Sequence, residues 1–176
     1  CRNLENINLV SCGGQSSIPI LYKWKKTLEE YGINLDYVEV ATTISTFSAG
    51  MATRRNIDNY LKTTEEAINQ FCKCDSKVIL NINPANPPVT MRTSFSALID
   101  NESLDINLSE VTSEIESLMK QYIPGYKITV LPQIIDKKRL FSSALIKGRG
   151  DFLPEYAGNL DIITSAAIEV AKNLVV

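Results

Sequence analysis

Cys12 is followed by Gly13 and Gly14 and then by QSSIPILYKWKKTLEEYG, a segment with helical apolar spacing. At the amino end of a helix a cysteine meets unpaired backbone N–H groups and the positive end of the helix dipole, and both favour the thiolate, which is the nucleophilic form. Two glycines beside it remove side-chain bulk, so a substrate carbonyl could approach and backbone N–H groups could point at a developing oxyanion. Types and spacing therefore suit attack on a carbonyl, with Cys12 as nucleophile and its thiolate fraction raised. A cysteine packed near a strand end fits the same spacing.

Elsewhere the chemistry is sparse. Histidine is absent from the 176 residues, which excludes Ser-His-Asp, Cys-His and His-rich metal sites. The other cysteines are Cys1, Cys72 and Cys74. The Cys72-Lys73-Cys74 spacing is too tight for a relaxed disulfide, and no further ligands stand at zinc-site spacing. Few cysteines suit a reducing compartment. The 18 basic residues are balanced by 20 acidic ones spread along the chain, which leaves no footprint for nucleic acid or an anionic membrane. No apolar run reaches the ~18 residues of a membrane span, and CRNLENINLV lacks a signal-peptide layout, so the chain reads as cytoplasmic. It begins at cysteine rather than methionine, as a processed or truncated polypeptide would.

The elements that must position Cys12 are read from periodicity. Residues 6–11 are expected as a short strand that breaks at Cys12-Gly13-Gly14, so Cys12 falls on a strand-to-helix turn. Pro19 is expected in the first turn of the following helix and Gly32 at its end. Leu35 to Ser45 alternates as a strand, and Ser48-Ala49-Gly50 leads to a helix over about 53–71 with Ile57, Leu61, Thr64, Ile68 and Phe71 on one face. Strands follow over 77–83 and 90–99. Asn107 caps a helix with a seam of Leu108, Val111, Ile115, Leu118 and Tyr122, a surface for either the core or a partner subunit. Strands over about 126–134 and 140–147 precede a last helix carrying Leu160, Ile163, Ala167, Val170 and Leu174. This is one α/β domain of α+β character, with a mixed, largely antiparallel sheet covered by helices.

Four ordered segments then point further: NLVSCGGQSSIPI around Cys12, SAGMATRRNID at 48–58, NINPANPPVTMR at 81–92 and FLPEYAGNLDIITSAA at 152–167. Together they resemble the acylating acetaldehyde dehydrogenases, over nearly the whole chain. The resemblance implies a catalytic and dimerisation domain of the semialdehyde/acetaldehyde dehydrogenase type, spanning 1–176. It also implies that Cys12 adds to a small aldehyde, that hydride passes to NAD, and that coenzyme A takes the acyl group from a cysteine thioester. NAD contacts fall on Ser48, Ala49, Gly50, Met51, Ala52, Thr53, Arg54, Arg55 and Asn56, with a nicotinamide-side contact at Asn159. Asn159 could equally cap the last helix. A homodimer and an aldolase partner are implied in the same way.

The chain departs from that family's pattern in places. Met51-Ala52 replace a Pro-Gly pair after Gly50, which puts side chains where backbone could approach a cofactor. Thr93 follows Met91-Arg92 where the family carries an aspartate as acid/base partner, and threonine cannot exchange a proton as a carboxylate does. Asp151 stands where histidine is common. No G-x-G-x-x-G follows a strand, so the family's amino-terminal dinucleotide-binding domain is expected to be missing and the chain alone inactive as a dehydrogenase. Two other readings remain: a noncatalytic dimerisation or scaffolding module of the same fold, and a related dehydrogenase for a different aldehyde.

Overall fold

A computed structural model describes residues 6–100, 107–136 and 138–175. The elements run α1 (Cys12–Glu30), β1 (Leu35–Ser45), α2 (Met51–Arg55), α3 (Ile57–Cys72), β2 (Asp75–Asn83), β3 (Met91–Ile99), α4 (Leu108–Tyr122), β4 (Tyr126–Asp136), β5 (Arg139–Ile146) and α5 (Gly158–Val175). Cys1 lies outside the described residues.

The strands form one five-stranded sheet in the order β2-β1-β3-β5-β4. Only β1 and β2 run parallel; the other neighbours are antiparallel, as expected of a mixed, largely antiparallel sheet. Alternation decides which side each residue faces. On β1 the buried set is Val38, Val40, Thr42 and Ile44; on β3 it is Met91, Thr93, Phe95, Ala97 and Ile99. These residues meet a helical layer in which α1 is central, touching α3, α4 and α5 as well as β1, β3 and β5. Trp24 of α1 is fully buried, packs against Phe95 with ring centroids 5.4 Å apart and planes tilted by 54°, and donates its indole N–H to Thr112 Oγ1 at 2.8 Å. A large aromatic can be buried there because its polar atom has a partner.

The opposite face, with Tyr37, Glu39, Thr43, Arg92, Ser94, Ser96 and Leu98, is half-exposed or exposed, with no helix packed on it among the described residues. None of the described helices is long and apolar enough to cross a membrane.

Several expectations are corrected. Residues 6–11 pair with no strand among the described residues, and Val10 packs against the core. Helix α1 starts earlier than the glycines suggest, because Ser11 caps it: Ser11 Oγ accepts from Gly14 N at 3.1 Å and Ser11 O from Gln15 N at 2.8 Å. Pro19 is therefore inside the helix, not in its first turn. The helix expected over 53–71 is two helices, broken at Asn56, whose Nδ2 bonds Ala52 O at 2.9 Å and competes with continued helix. Phe71 and Leu118 are exposed, at 43% and 53%, and Ala67, Cys72, Thr112 and Met119 face inward instead. Asn107 caps α4 as expected, accepting from Ser109 N at 3.1 Å.

Gly125 joins α4 to β4 with no room to spare, since a Cβ there would collide with Lys147 O and lie 2.8 Å from its carbonyl carbon. The obstruction is backbone and cannot rotate away. Gly125→Ala is expected to cost about 1–3 kcal/mol, read as a lower urea midpoint at unchanged slope. Gly50 has nothing within 4 Å of its Cβ position and a negative φ, so Gly50→Ala should stay within about 0.5 kcal/mol of the parent.

Candidate active site at the amino end of helix α1

Cys12 is the first residue of α1 and half-buried. Around it the described polar neighbours are hydroxyls and amides. Tyr60, from the first turn of α3, places its phenol oxygen 3.9 Å from Cys12 Sγ and accepts Gly13 N–H at 3.2 Å. Thr64, one turn further along α3, donates to Tyr60 O at 2.6 Å and lies 2.6 Å from Ser11 Oγ. The cap of α1 and the first turns of α3 are thus bonded to each other.

Below them lies a second cluster. Antiparallel register sets Thr42 of β1 opposite Thr93 of β3, and their hydroxyls are 3.2 Å apart. Ser16 Oγ lies 2.8 Å from Thr93 Oγ1 and donates to Gly13 O at 2.9 Å. Ser17 donates to the same carbonyl at 2.8 Å, and Tyr126 O–H reaches Ser16 O at 2.6 Å. Thr42, Thr93 and Ser16 are fully buried. Thr93 is therefore spent on internal hydrogen bonds, and it meets no charged group in them.

The expected rise in thiolate fraction is corrected. Burial pushes the Cys12 thiol above its ordinary range, while hydrogen bonding from Tyr60 and from the amides of Gly13 and Cys12 itself pulls it part of the way back. No cation among the described residues assists, and desolvation outweighs the helix end. The open oxyanion donors are corrected likewise, for Gly13 N–H is taken by Tyr60 and Gly14 N–H by Ser11. Cys72 and Cys74 are free and are raised as well, to about 12 and about 11, burial being the main cause in both. Among the described residues no group of three His, Cys, Asp or Glu could hold a metal.

The second set of site residues begins where β1 ends. Ser48 N and Oγ both donate to Ser45 O at 3.1 Å, and Ser48 and Ala49 are buried. Gly50 caps α2, which carries Met51, Ala52, Thr53, Arg54 and Arg55; Met51 is 62% exposed. Arg54 braces the turn, donating to Ala49 O, Thr46 O and Thr46 Oγ1 at 3.1, 3.1 and 2.6 Å. Arg55 and Asn56 are exposed. Asn159 does not cap α5, which starts at Gly158; its Nδ2 donates to Ser48 O at 3.1 Å, and its buried Oδ1 has no partner. The structure thus joins Asn159 to Ser48. That pair hangs on Ser45, the last residue of β1, which lies three residues along the strand from Thr42, about 10 Å at strand rise.

Tyr60, Thr64, Ser11, Thr42 and Ser16 are not singled out by motif reading. Helical spacing was the available signal for one pair, because Tyr60 precedes Thr64 by four residues and so shares its face.

Residues 12–154 match the family described as prokaryotic acetaldehyde dehydrogenase, dimerisation. An acetaldehyde dehydrogenase of Burkholderia thailandensis is 44% identical over 180 residues, covering 98% of this chain and 59% of that protein. One from Pectobacterium atrosepticum is 46% identical over 169 residues, covering 96% and 55%. The chain thus spans less than two thirds of the length of these relatives. A probable aspartate-semialdehyde dehydrogenase from Pseudomonas aeruginosa superposes with a TM-score of 0.51 at 6% identity, covering 92% of this chain and 61% of that one, and shares the fold. With its sheet, its capped helix and most of its length matched, the chain belongs to the prokaryotic acetaldehyde dehydrogenase dimerisation family.

Proposed function

We propose that this chain is the nucleophile-bearing and dimer-forming part of an NAD-dependent, coenzyme A-acylating acetaldehyde dehydrogenase of the cytoplasm. The observation that carries the reading is Cys12 at a capped helix start, among groups that can hydrogen-bond to sulfur but cannot hold charge. In the forward reaction the Cys12 thiolate adds to the aldehyde carbon, forming a C–S bond, and the carbonyl oxygen takes the electron pair. Loss of hydride from that carbon leaves a thioester on Cys12, and the thiolate of coenzyme A then displaces Cys12 and carries the acyl group away. The thiol proton leaves to water, because Thr93 is a buried hydroxyl bonded to Ser16 and Thr42.

NAD, when bound, supplies the hydride acceptor. Asn159 suits such a ligand: its amide nitrogen is committed to Ser48 O, which leaves Oδ1 a buried acceptor lacking a donor, and a carboxamide N–H2 would fill it. An unpaired buried acceptor costs stability unless something satisfies it. Ser48 to Asn56 would form the neighbouring wall, with Arg54 holding its shape. The pyrophosphate and adenosine contacts belong to a dinucleotide-binding unit outside these 176 residues. The uncovered face of the sheet is where a second copy of this chain would pack. A channelling aldolase would be a further partner.

Burial of Thr93 favours a second reading, a noncatalytic dimerisation module that keeps the fold. Acyl transfer from acetyl-CoA separates the two without the missing unit. The chain should acquire one acetyl group on Cys12, detected by peptide mass mapping, and Cys12→Ser should abolish it. No acetylation, or acetylation of Cys72 or Cys74, would leave the scaffolding reading.

Two further outcomes are expected of the chain as it stands. Light scattering at micromolar concentration should give a dimer mass, and a concentration-independent monomer would remove the role of the open sheet face. Titration calorimetry should find NAD binding no tighter than about millimolar, ~4 kcal/mol, because Asn159 and the 48–56 turn offer only part of a dinucleotide site. Micromolar binding would mean a complete cofactor site within these residues.

A further inference from the structure

Tyr60 reaches Cys12 from a different helix, and its place is built rather than incidental. Gly13 leaves the space it occupies: a Cβ there would collide with the phenol oxygen and lie 2.7 Å from Thr42 Oγ1. Thr64 fixes the Tyr60 backbone from within α3 and ties it to Ser11, the cap of the helix that carries Cys12. We propose that Tyr60 is a positioning residue for the Cys12 nucleophile, its hydroxyl held by Gly13 N–H so that its own proton can turn onto Sγ when the thiol ionises. The proposal rests on Cys12 being the nucleophile.

Counting protons and lone pairs supports this. The phenol oxygen has one proton and accepts Gly13 N–H. While Cys12 is a neutral thiol, S–H donates to the phenol oxygen, and the phenol proton is left to the hydroxyls of Thr42 or Ser11, which also face it. Once sulfur is ionised it can only accept. The phenol proton then rotates to Sγ, and a hydrogen bond made to the charged form lowers a pKa. Tyr60 cannot act as base in this exchange, since burial, and next the adjoining Cys12, hold its phenol well above the ordinary range. The groups bearing on Cys12 are Tyr60 and the amides of Gly13 and Cys12; those bearing on Tyr60 are Cys12, Thr42 and Ser11. The strand residues beneath, Thr42 and Thr93, are neutral. Among the described residues Tyr60 is therefore the one side chain that can answer the charge on sulfur.

Removing the hydroxyl has a sign that tells two arrangements apart. Tyr60→Phe deletes the donor to sulfur, but it also frees Gly13 N–H. If the amide were the true partner of the thiolate, the thiol would ionise more easily in the variant; if Tyr60 is, it ionises less easily. The measurement is the pH profile of Cys12 alkylation by limiting iodoacetamide, read by peptide mapping with Cys72 and Cys74 as internal references. In the parent chain the rate should climb about tenfold per pH unit through neutrality and level off only above the ordinary thiol range, since the thiol is raised. In Tyr60→Phe the midpoint should move up by about one unit, or about tenfold in rate at a fixed lower pH, with the plateau rate and the labelling of Cys72 and Cys74 unchanged. A midpoint that stays put or falls overturns the proposal. Should the phenylalanine variant fail to fold, 3-fluorotyrosine at position 60, a stronger donor of the same shape, must move the midpoint down, and no movement overturns it equally. Acetyl transfer from acetyl-CoA fails independently: a shifted profile without acetylation would sink the enzymatic reading and leave the Tyr60–Cys12 coupling in place.

Discussion

A Cβ on Gly13 would run into Tyr60 and stand 2.7 Å from Thr42 Oγ1, so the first turn of α1 can rest against both α3 and β1 only with no side chain at that point. Glycine in a helix interior costs roughly 0.5–1 kcal/mol relative to alanine. Here that cost is offset by what the close approach allows. Gly13 O receives the hydroxyls of Ser16 and Ser17, Gly13 N–H reaches Tyr60, and Cys12 is brought to the same phenol. One residue without a side chain thus sets the spacing between the helix that carries Cys12, the helix that carries Tyr60, and the sheet below.

The hydroxyl cluster under that turn does for position what charged pairs do in other active sites, with less desolvation. Thr42, Thr93 and Ser16 are fully buried, yet each has a partner within 3.2 Å, which is the condition under which buried polar groups add rigidity rather than cost. Tyr126 extends the cluster to β4, and Trp24 with Thr112 anchors the far half of α1 to α4. Helix α1 is held by hydrogen bonds in its first turns and at Trp24, and along its length by Ile20, Leu21 and Leu28, which are buried apolar contacts. The position of Cys12 is consequently determined by the whole domain.

Alternation made the sheet legible. Leu35 to Ser45 reads as a strand and is one to the residue, and the antiparallel bias follows from strands clustered without long crossovers. Asn107 was legible because a capping asparagine acts over two residues. What failed was tertiary in origin. Residues 6–11 look like a strand but pair with none among the described residues, and the glycines after Cys12 look like a break because the reason for Gly13, the proximity of Tyr60 and Thr42, lies 29 residues and more along the chain. The Cys12 thiol was misjudged for a related reason: a helix end is a local feature that lowers its pKa, whereas the burial that raises it depends on everything packed above. The ordered motifs carried the family correctly, since the same matches span most of the chain.

The threonine at position 93 bears unequally on the two halves of the proposed reaction. Addition of sulfur to an aldehyde turns a carbonyl oxygen into an alkoxide, which needs a proton or a strong donor. A carboxylate, such as the resemblance places here, could exchange that proton, though at zero exposure between Ser16 and Thr42 desolvation would push its pKa upward. Threonine avoids that desolvation and cannot exchange the proton. Acyl transfer between two thiols asks for much less, because the attacking and the leaving group are both sulfur and the charge passes from one thiolate to the other. The Thr93 departure therefore weighs on aldehyde addition and leaves thioester exchange at Cys12 nearly untouched. For the harder half, the side-chain donor beside sulfur is the phenol of Tyr60, which burial holds well above its ordinary range.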